Sequence, residues 1–276
     1  MAKPFIKWVG GKTQLLEDLK NYAPKPGEYE TYYEPFLGGG ALFFALDHKS
    51  AILNDFNAHL SELYCHMRDC IDEILEHLHD IEKQYLSLDH HGRHDFYYEL
   101  RKIYNSEAAG IRKSAMLIFL NKTCFNGVYR ENRKGEFNVP FGRNKFTKLF
   151  DESTLRRASD HLKSVKIQSG SYLQSLESAK AGDFIYLDPP YMPLPNTSNF
   201  TNYTGSGFGL NEQEELRNTV DELTKRGCKV MLSNSVAPRV RELYKKYNIY
   251  EVDASRAVNC KAGGRGKIKE LVITNY

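Results

Sequence analysis

Short apolar runs closed by turn residues alternate with amphipathic stretches along most of the chain. The runs at 32–36, 51–53, 165–167, 184–187, 230–232 and 271–274 read as strands, because they are short and apolar and most are followed by turn residues or polar stops. Between them, 40–46, 153–162, 211–225 and 238–247 carry helix-like patterns. Asn211 and Glu214 predict a capping pair for the third of these. Such alternation is the pattern of a mostly parallel α/β sheet. It breaks after Asp55, where 60–85 and 96–119 read as helices, and it resumes near Val165. An insertion of about a hundred residues is too long for a loop. It is expected to be a largely helical module ending in a hairpin. The expected division is a sheet domain of residues 1–56 and 146–276 with an inserted module over 57–145.

At 276 residues and 41% hydrophobic, the chain can bury a sizeable core. No apolar run approaches the roughly 20 residues that cross a bilayer, and the first residues lack the apolar core of a secretory signal. A cytoplasmic protein without membrane contact is expected. Cys65, Cys70, Cys124, Cys228 and Cys260 are scattered, never spaced C-x-x-C, so neither disulfides nor a metal site is expected. His90, His91 and His94 lie in the polar stretch 87–95 and read as solvated loop residues.

The net charge of +3 says little, but its distribution says more. Lys122, Arg130, Arg133, Lys134, Arg143, Lys145 and Lys148 oppose only Glu131 and Glu136 over 122–148, and Phe125, Tyr129, Phe137, Phe141 and Phe146 are interleaved. That composition suits phosphates and bases, although a solvated hairpin with packed aromatics would share it.

Glu34-Pro35-Phe36-Leu37-Gly38-Gly39-Gly40 follows a strand and opens a helix, which lets backbone approach a ligand. A dinucleotide fingerprint requires glycine three residues after Gly40, where Phe43 stands. What remains suits an adenosine without phosphates. Asp55, seventeen residues beyond Gly38, can accept from both ribose hydroxyls. Gly11-Lys12-Thr13 imitates the end of a phosphate loop, but Ile6 replaces the glycine that such a loop needs. Trp8 can anchor the N-terminal segment or cover a ligand.

Asp188-Pro189-Pro190-Tyr191 carries the sharpest chemistry. Adenine's exocyclic amine is a poor nucleophile because its lone pair is delocalised. Hydrogen bonds from that amine to the Asp188 carboxylate and the Pro189 carbonyl would localise the pair. Tyr191 offers a stacking face, and stacking of a base on an aromatic is worth about 1–3 kcal/mol. The prolines hold this geometry at low entropic cost. Methylation of cytosine C5 needs a cysteine beside proline, yet no proline here precedes a cysteine. Zinc deamination needs P-C-x-x-C, which is missing. Direct in-line methyl transfer to an amino nitrogen is left.

These motifs, with Lys7-Trp8-Val9-Gly10-Gly11-Lys12, Asn126-Gly127 before Arg130, 135–143 and Asn199-Phe200-Thr201, resemble the Dam-type DNA adenine-N6 methyltransferases over nearly the whole chain. Their order is that of the alpha group. The resemblance implies a Rossmann-like methyltransferase sheet, S-adenosylmethionine as cofactor, and double-stranded DNA methylated at GATC by a monomer that flips its target base. It implies cofactor contacts from Trp8, Lys12, Phe36, Gly38, Asp55 and Asp188, with Asp188, Pro189 and Tyr191 catalytic. The inserted module becomes a target-recognition domain. Lys7 and Arg130 would read guanines, Phe125 would wedge into the stack, and Asn126 would touch a base. Val128 and Pro140 would meet a thymine methyl, while Asn138, Arg143 and Lys145 would hold phosphates. Residues 196–209 resemble a loop that orders on DNA. Two alternatives stay open: the same chemistry on RNA or another DNA site, and a non-catalytic nucleic-acid-binding module.

Overall fold

The computed structural model describes residues 2–143, 146–193, 208–255 and 267–276. Its strands are β1 (Tyr32–Glu34), β2 (Ala51–Asp55), β3 (Val165–Ser169), β4 (Phe184–Leu187), β5 (Lys229–Ser235), β6 (Asn248–Ser255) and β7 (Lys267–Thr274). The chain forms two compact units. One comprises Met1–Gly11, Gly38–Ala45 and Asn57–Ser169, the other Lys12–Leu37, Leu46–Phe56 and Gly170–Tyr276. Residues 1–11, 38–45 and 146–169, expected with the sheet, therefore cluster with the helical insertion.

The second unit holds strands in the order β2-β1-β4-β5-β7-β6. β1 runs parallel to both β2 and β4, and β4 parallel to β5. The β5–β7 and β6–β7 pairs are antiparallel. All four residues of β4 are buried, which explains its uninterrupted apolar sequence. Helix Leu210–Lys225 covers the sheet with Leu216, Val220 and Leu223, packed among Ile185, Leu187, Val230, Leu232, Leu271 and Ile273. Each such side chain contributes about 1.5–3 kcal/mol through burial. Its cap lies two residues earlier than expected: the Gly209 amide donates to Glu212 Oε2 at 2.7 Å.

Tyr33 of β1 pairs with Ile185 of β4, so the carboxyl ends of these strands are neighbours. The chain goes from β1 to β2 on one side and places β4 on the other. This is the topological switch point where α/β sheets bind ligands, and Pro35-Phe36 and Asp188 leave the sheet there. Strand β6 carries no continuous apolar run. Val252 and Ala254 are buried while Glu251 and Asp253 are exposed, the alternation of an edge strand with one wet face. The helix expected over 238–247 stops at Leu243.

In the first unit, the helix expected over 60–85 is two, Ala58–Asp69 and Ile71–Ser87, because the backbone turns at Cys70 (φ −132°, ψ 39°). The stretch expected over 96–119 is also two, His90–Ser106 and Ile111–Thr123, divided by Gly110 at φ 158°. Asp89 caps the first of them, accepting from the Gly92 amide at 2.8 Å, so His90, His91 and His94 are helical and not in a loop. Helix Ile111–Thr123 is buried over most of its length. The expected hairpin is reduced to two isolated bridges, Cys124 with Phe141 and Glu131 with Phe137, around buried Tyr129, Phe137 and Phe141. Gly142 closes this segment, where an added Cβ would lie 2.5 Å from the Cys124 carbonyl oxygen. Among the described residues, no helix is long and apolar enough to cross a membrane, and no three His, Cys, Asp or Glu side chains gather as metal ligands.

Candidate active site

Asp188 is the first residue beyond β4, at the switch point. Lys12 Nζ lies 2.8 Å from its Oδ2, with side-chain exposures of 7% and 18%. The same ammonium stands 4.7 Å from the centroid of the Tyr191 ring. The Tyr191 hydroxyl donates to Glu270 Oε2 at 2.6 Å, across 79 residues of sequence. Asp188 Oδ1 is buried with no hydrogen-bond partner among the described residues. Burial pushes the Asp188 carboxyl up to about 6; Lys12 pulls it down and Glu270 pushes it further up. Burial, reinforced by Asp188 and Glu270, raises the Tyr191 phenol well above its ordinary range. The arrangement is a neutral phenol and a carboxylate with one oxygen held by a cation and the other left to accept.

Pro189 is buried and Pro190 exposed. Gln213 Nε2 donates to the Pro190 carbonyl at 2.9 Å, and Asn234 Oδ1 accepts from the Met192 amide at 3.2 Å. Gln213, Asn234 and Glu270 stand in no motif of the sequence.

Asn54 joins the ends of β1 and β2. Its buried Nδ2 donates to the carbonyls of Pro35 at 3.0 Å and Gly170 at 3.1 Å, and its own carbonyl accepts from the Leu37 amide at 3.0 Å. Asp55 follows at the end of β2, half-buried, with its carbonyl accepting from Gly170. Phe36 is half-buried, its ring 5.1 Å from that of Tyr172. Lys12 opens a short 3-10 helix and is buried against Asp188, which is not the posture of a phosphate-loop lysine.

In the first unit, Gly38 takes φ 50°, and a Cβ there would come 2.9 Å from Trp8 Cδ1. Trp8 stacks on Tyr129 at 4.8 Å with an interplanar angle of 19°, so one indole face is covered by protein.

The basic aromatic segment is organised by Asn121, buried and unremarked in the sequence. It accepts from the Lys7 amide at 2.9 Å and donates to the carbonyls of Lys7 at 2.9 Å and Gly127 at 3.2 Å. Lys7 lies over Gly127, where a Cβ would be 2.6 Å from its Cδ. Phe125 is 54% exposed, and Asn126 is exposed with a left-handed φ of 57°. Val128 is half-buried, while Arg143 is exposed with φ 56°. Pro140 is exposed, its carbonyl accepting from the Phe125 amide at 2.8 Å. Arg130 is exposed. Its Nε donates to Asn138 Oδ1 at 2.7 Å, and its Nη2 to the Asn138 carbonyl at 3.4 Å. Lys145, 196–207 and 263–266 lie outside the described residues.

A mixed sheet with a glycine turn after its first strand and an acidic-proline-aromatic loop after β4 is that of a Rossmann-like methyltransferase. Residues 8–258 match the D12 class N6 adenine-specific DNA methyltransferases, and the chain belongs to that family. It is 43% identical to the type II methyltransferase M.MjaIII of Methanocaldococcus jannaschii, over 100% of this chain and 99% of that protein. It is 40% identical to the type II methyltransferase M1.LlaDCHI of Lactococcus lactis, over 99% of this chain and 95% of that protein. The DNA adenine methylase of Escherichia coli is 33% identical, over 98% of this chain and 94% of that protein. The chain is thus an adenine-specific DNA methyltransferase whose methyl donor is S-adenosylmethionine. The Oδ1 of half-buried Asp188, without a partner among the described residues, fits an amine donor, which S-adenosylmethionine carries.

Proposed function

We propose that this enzyme methylates adenine N6 within GATC in double-stranded DNA, on a base turned out of the helix. The observation that carries the chemistry is Asp188, ionised on Lys12 through one oxygen and, among the described residues, without a partner on the other. S-adenosylmethionine supplies an electrophilic methyl group on a sulfonium. Asp188 and the Pro189 carbonyl accept the two amine hydrogens, and the Tyr191 ring stacks on the base. Phe36, Asp55 and Lys12 are assigned to the cofactor, as are Trp8 and Gly38. A base paired inside a duplex cannot bring its amine to this half-buried carboxylate, which is why the reading includes flipping.

Recognition is assigned to residues 57–145, and catalysis to 1–56 and 146–276. The geometry that supports sequence reading is Arg130. Asn138 holds its Nε edge and, at 3.4 Å, one Nη2 hydrogen, and this exposed guanidinium keeps Nη1 and the second Nη2 hydrogen to offer guanine O6 and N7. Lys7 reads the second guanine, Phe125 and Asn126 enter the stack, Val128 and Pro140 meet thymine, and Arg143 and Lys145 hold phosphates. The enzyme acts as a cytoplasmic monomer.

Labelled methyl incorporation into duplexes that differ only in GATC tests the reading. Transfer confined to the GATC duplex is expected, and equal labelling of both contradicts the specificity. A fluorescent 2-aminopurine in place of the target adenine should brighten on binding. An unchanged signal argues against flipping.

A further inference from the structure

Two carboxamides, Gln213 and Asn234, are entirely removed from solvent in the second unit. A buried amide without partners costs about 1–3 kcal/mol, so where their bonds go is informative. They go to the loop after β4. Asn234 Oδ1 accepts from the amides of Met192 at 3.2 Å and Ser235 at 2.8 Å. Its Nδ2 donates to Gln213 Oε1 at 3.0 Å, and Gln213 Nε2 donates to the Pro190 carbonyl at 2.9 Å. Ser235 Oγ donates to the Met192 carbonyl at 2.6 Å. The backbone is therefore gripped on both sides of Tyr191. Two consecutive prolines have no amide hydrogens to anchor themselves, so side chains do the anchoring.

The direction of this chain of bonds is fixed at both ends. Two amide donors force Asn234 to turn its oxygen to the loop, which turns its nitrogen to Gln213. That in turn leaves Gln213 only its own nitrogen to offer Pro190, which accepts.

We propose that Gln213 and Asn234 are positioning residues for methyl transfer, an amide relay that holds the Pro190 carbonyl and so presents Asp188 and the Pro189 carbonyl to the substrate amine. The inference rests on reading those two groups as the amine acceptors. A slackened relay misplaces both acceptors while leaving the DNA contacts and the cofactor contacts outside this loop intact. Misplacement of reacting groups by about 1 Å can cost a hundredfold in rate.

The test compares Gln213→Leu, Gln213→Glu and Asp188→Ala in single-turnover methylation of a GATC duplex, with cofactor and DNA dissociation constants measured alongside. Gln213→Leu should lower the transfer rate about ten- to a hundredfold and leave the DNA constant within about threefold, with the cofactor constant changed far less than the rate. Gln213→Glu is isosteric. Protonated, it donates to Pro190 as glutamine does; ionised, it cannot. Its rate should approach wild type at low pH and fall as pH rises, whereas the wild-type rate should not fall over that range. An unchanged rate in Gln213→Leu, or a Gln213→Glu pH profile identical to wild type, overturns the relay. Loss of transfer in Asp188→Ala together with either result overturns the relay alone. Retained transfer in Asp188→Ala overturns the acceptor reading and the relay with it.

Discussion

The Lys12 ammonium touches both working groups of the loop after β4: it lies 2.8 Å from Asp188 Oδ2 and 4.7 Å from the Tyr191 ring centroid. A buried lysine and a half-buried aspartate separated by most of the sequence are thus one electrostatic unit. Removing one partner of such a pair leaves an uncompensated charge.

Asp188→Ala should abolish methyl transfer while the protein stays folded. A group that lowers the barrier by about 2 kcal/mol or more leaves only a few per cent of turnover when removed. Radiolabelled transfer above about 10% of wild type would refute the role.

Asp188 titrates near 6, above its ordinary value near 4, because burial disfavours its charge. A base must be ionised to accept, so kcat/KM should fall as pH drops through about 6. Lys12 holds this value down, and Lys12→Met should therefore shift the acid limb upward. The stability effect has the opposite sense. A carboxyl whose folded value is raised adds stability below about pH 4 that is lost as pH climbs through 6. Urea unfolding of wild type and Asp188→Asn across that window should diverge as pH rises, with wild type losing more. Parallel curves would contradict the assignment.

Asn138, a phosphate contact by family resemblance, bonds the Nε of Arg130 at 2.7 Å. If it orients the guanidinium, Asn138→Ala should relax discrimination at the same base pair as Arg130→Ala, where the loss is about 1–3 kcal/mol. Asn138→Asp keeps the acceptor and should retain discrimination. A phosphate contact would instead weaken binding to every sequence and flatten its salt dependence. Methylation of single-base-substituted duplexes at two salt concentrations separates the outcomes.

Gly142→Ala should destabilise the first unit by about 1–3 kcal/mol, the usual cost of overpacking. The new methyl would meet the Cys124 carbonyl, a backbone atom that cannot swing away. A denaturant midpoint equal to wild type would show that the segment relaxes.

How much of this was legible depended on how local its cause was. The β4 run and the loop after it could be read because burial on both faces writes a continuous apolar string. Helix Leu210–Lys225 could be read from its spacing, but its cap was misjudged by two residues because Gly209 offers no side chain to recognise. The helix break at Cys70 is a single backbone turn with no sequence marker, and Asp89 converted a polar stretch into a helix start. Glu270 was invisible for a different reason. It reaches Tyr191 through the pairing of Glu270 with Ser235 in β5 and β7, a relationship that exists only once the sheet has assembled.

The Tyr191 hydroxyl has a further consequence. Its one proton is committed to Glu270, so residue 191 can greet a nucleobase only with its flat side, never as a donor. Phenylalanine would present the same flat side, yet it would strand a negative oxygen behind the ring. Exchange between the two aromatics at this place should therefore go hand in hand with an uncharged residue at 270.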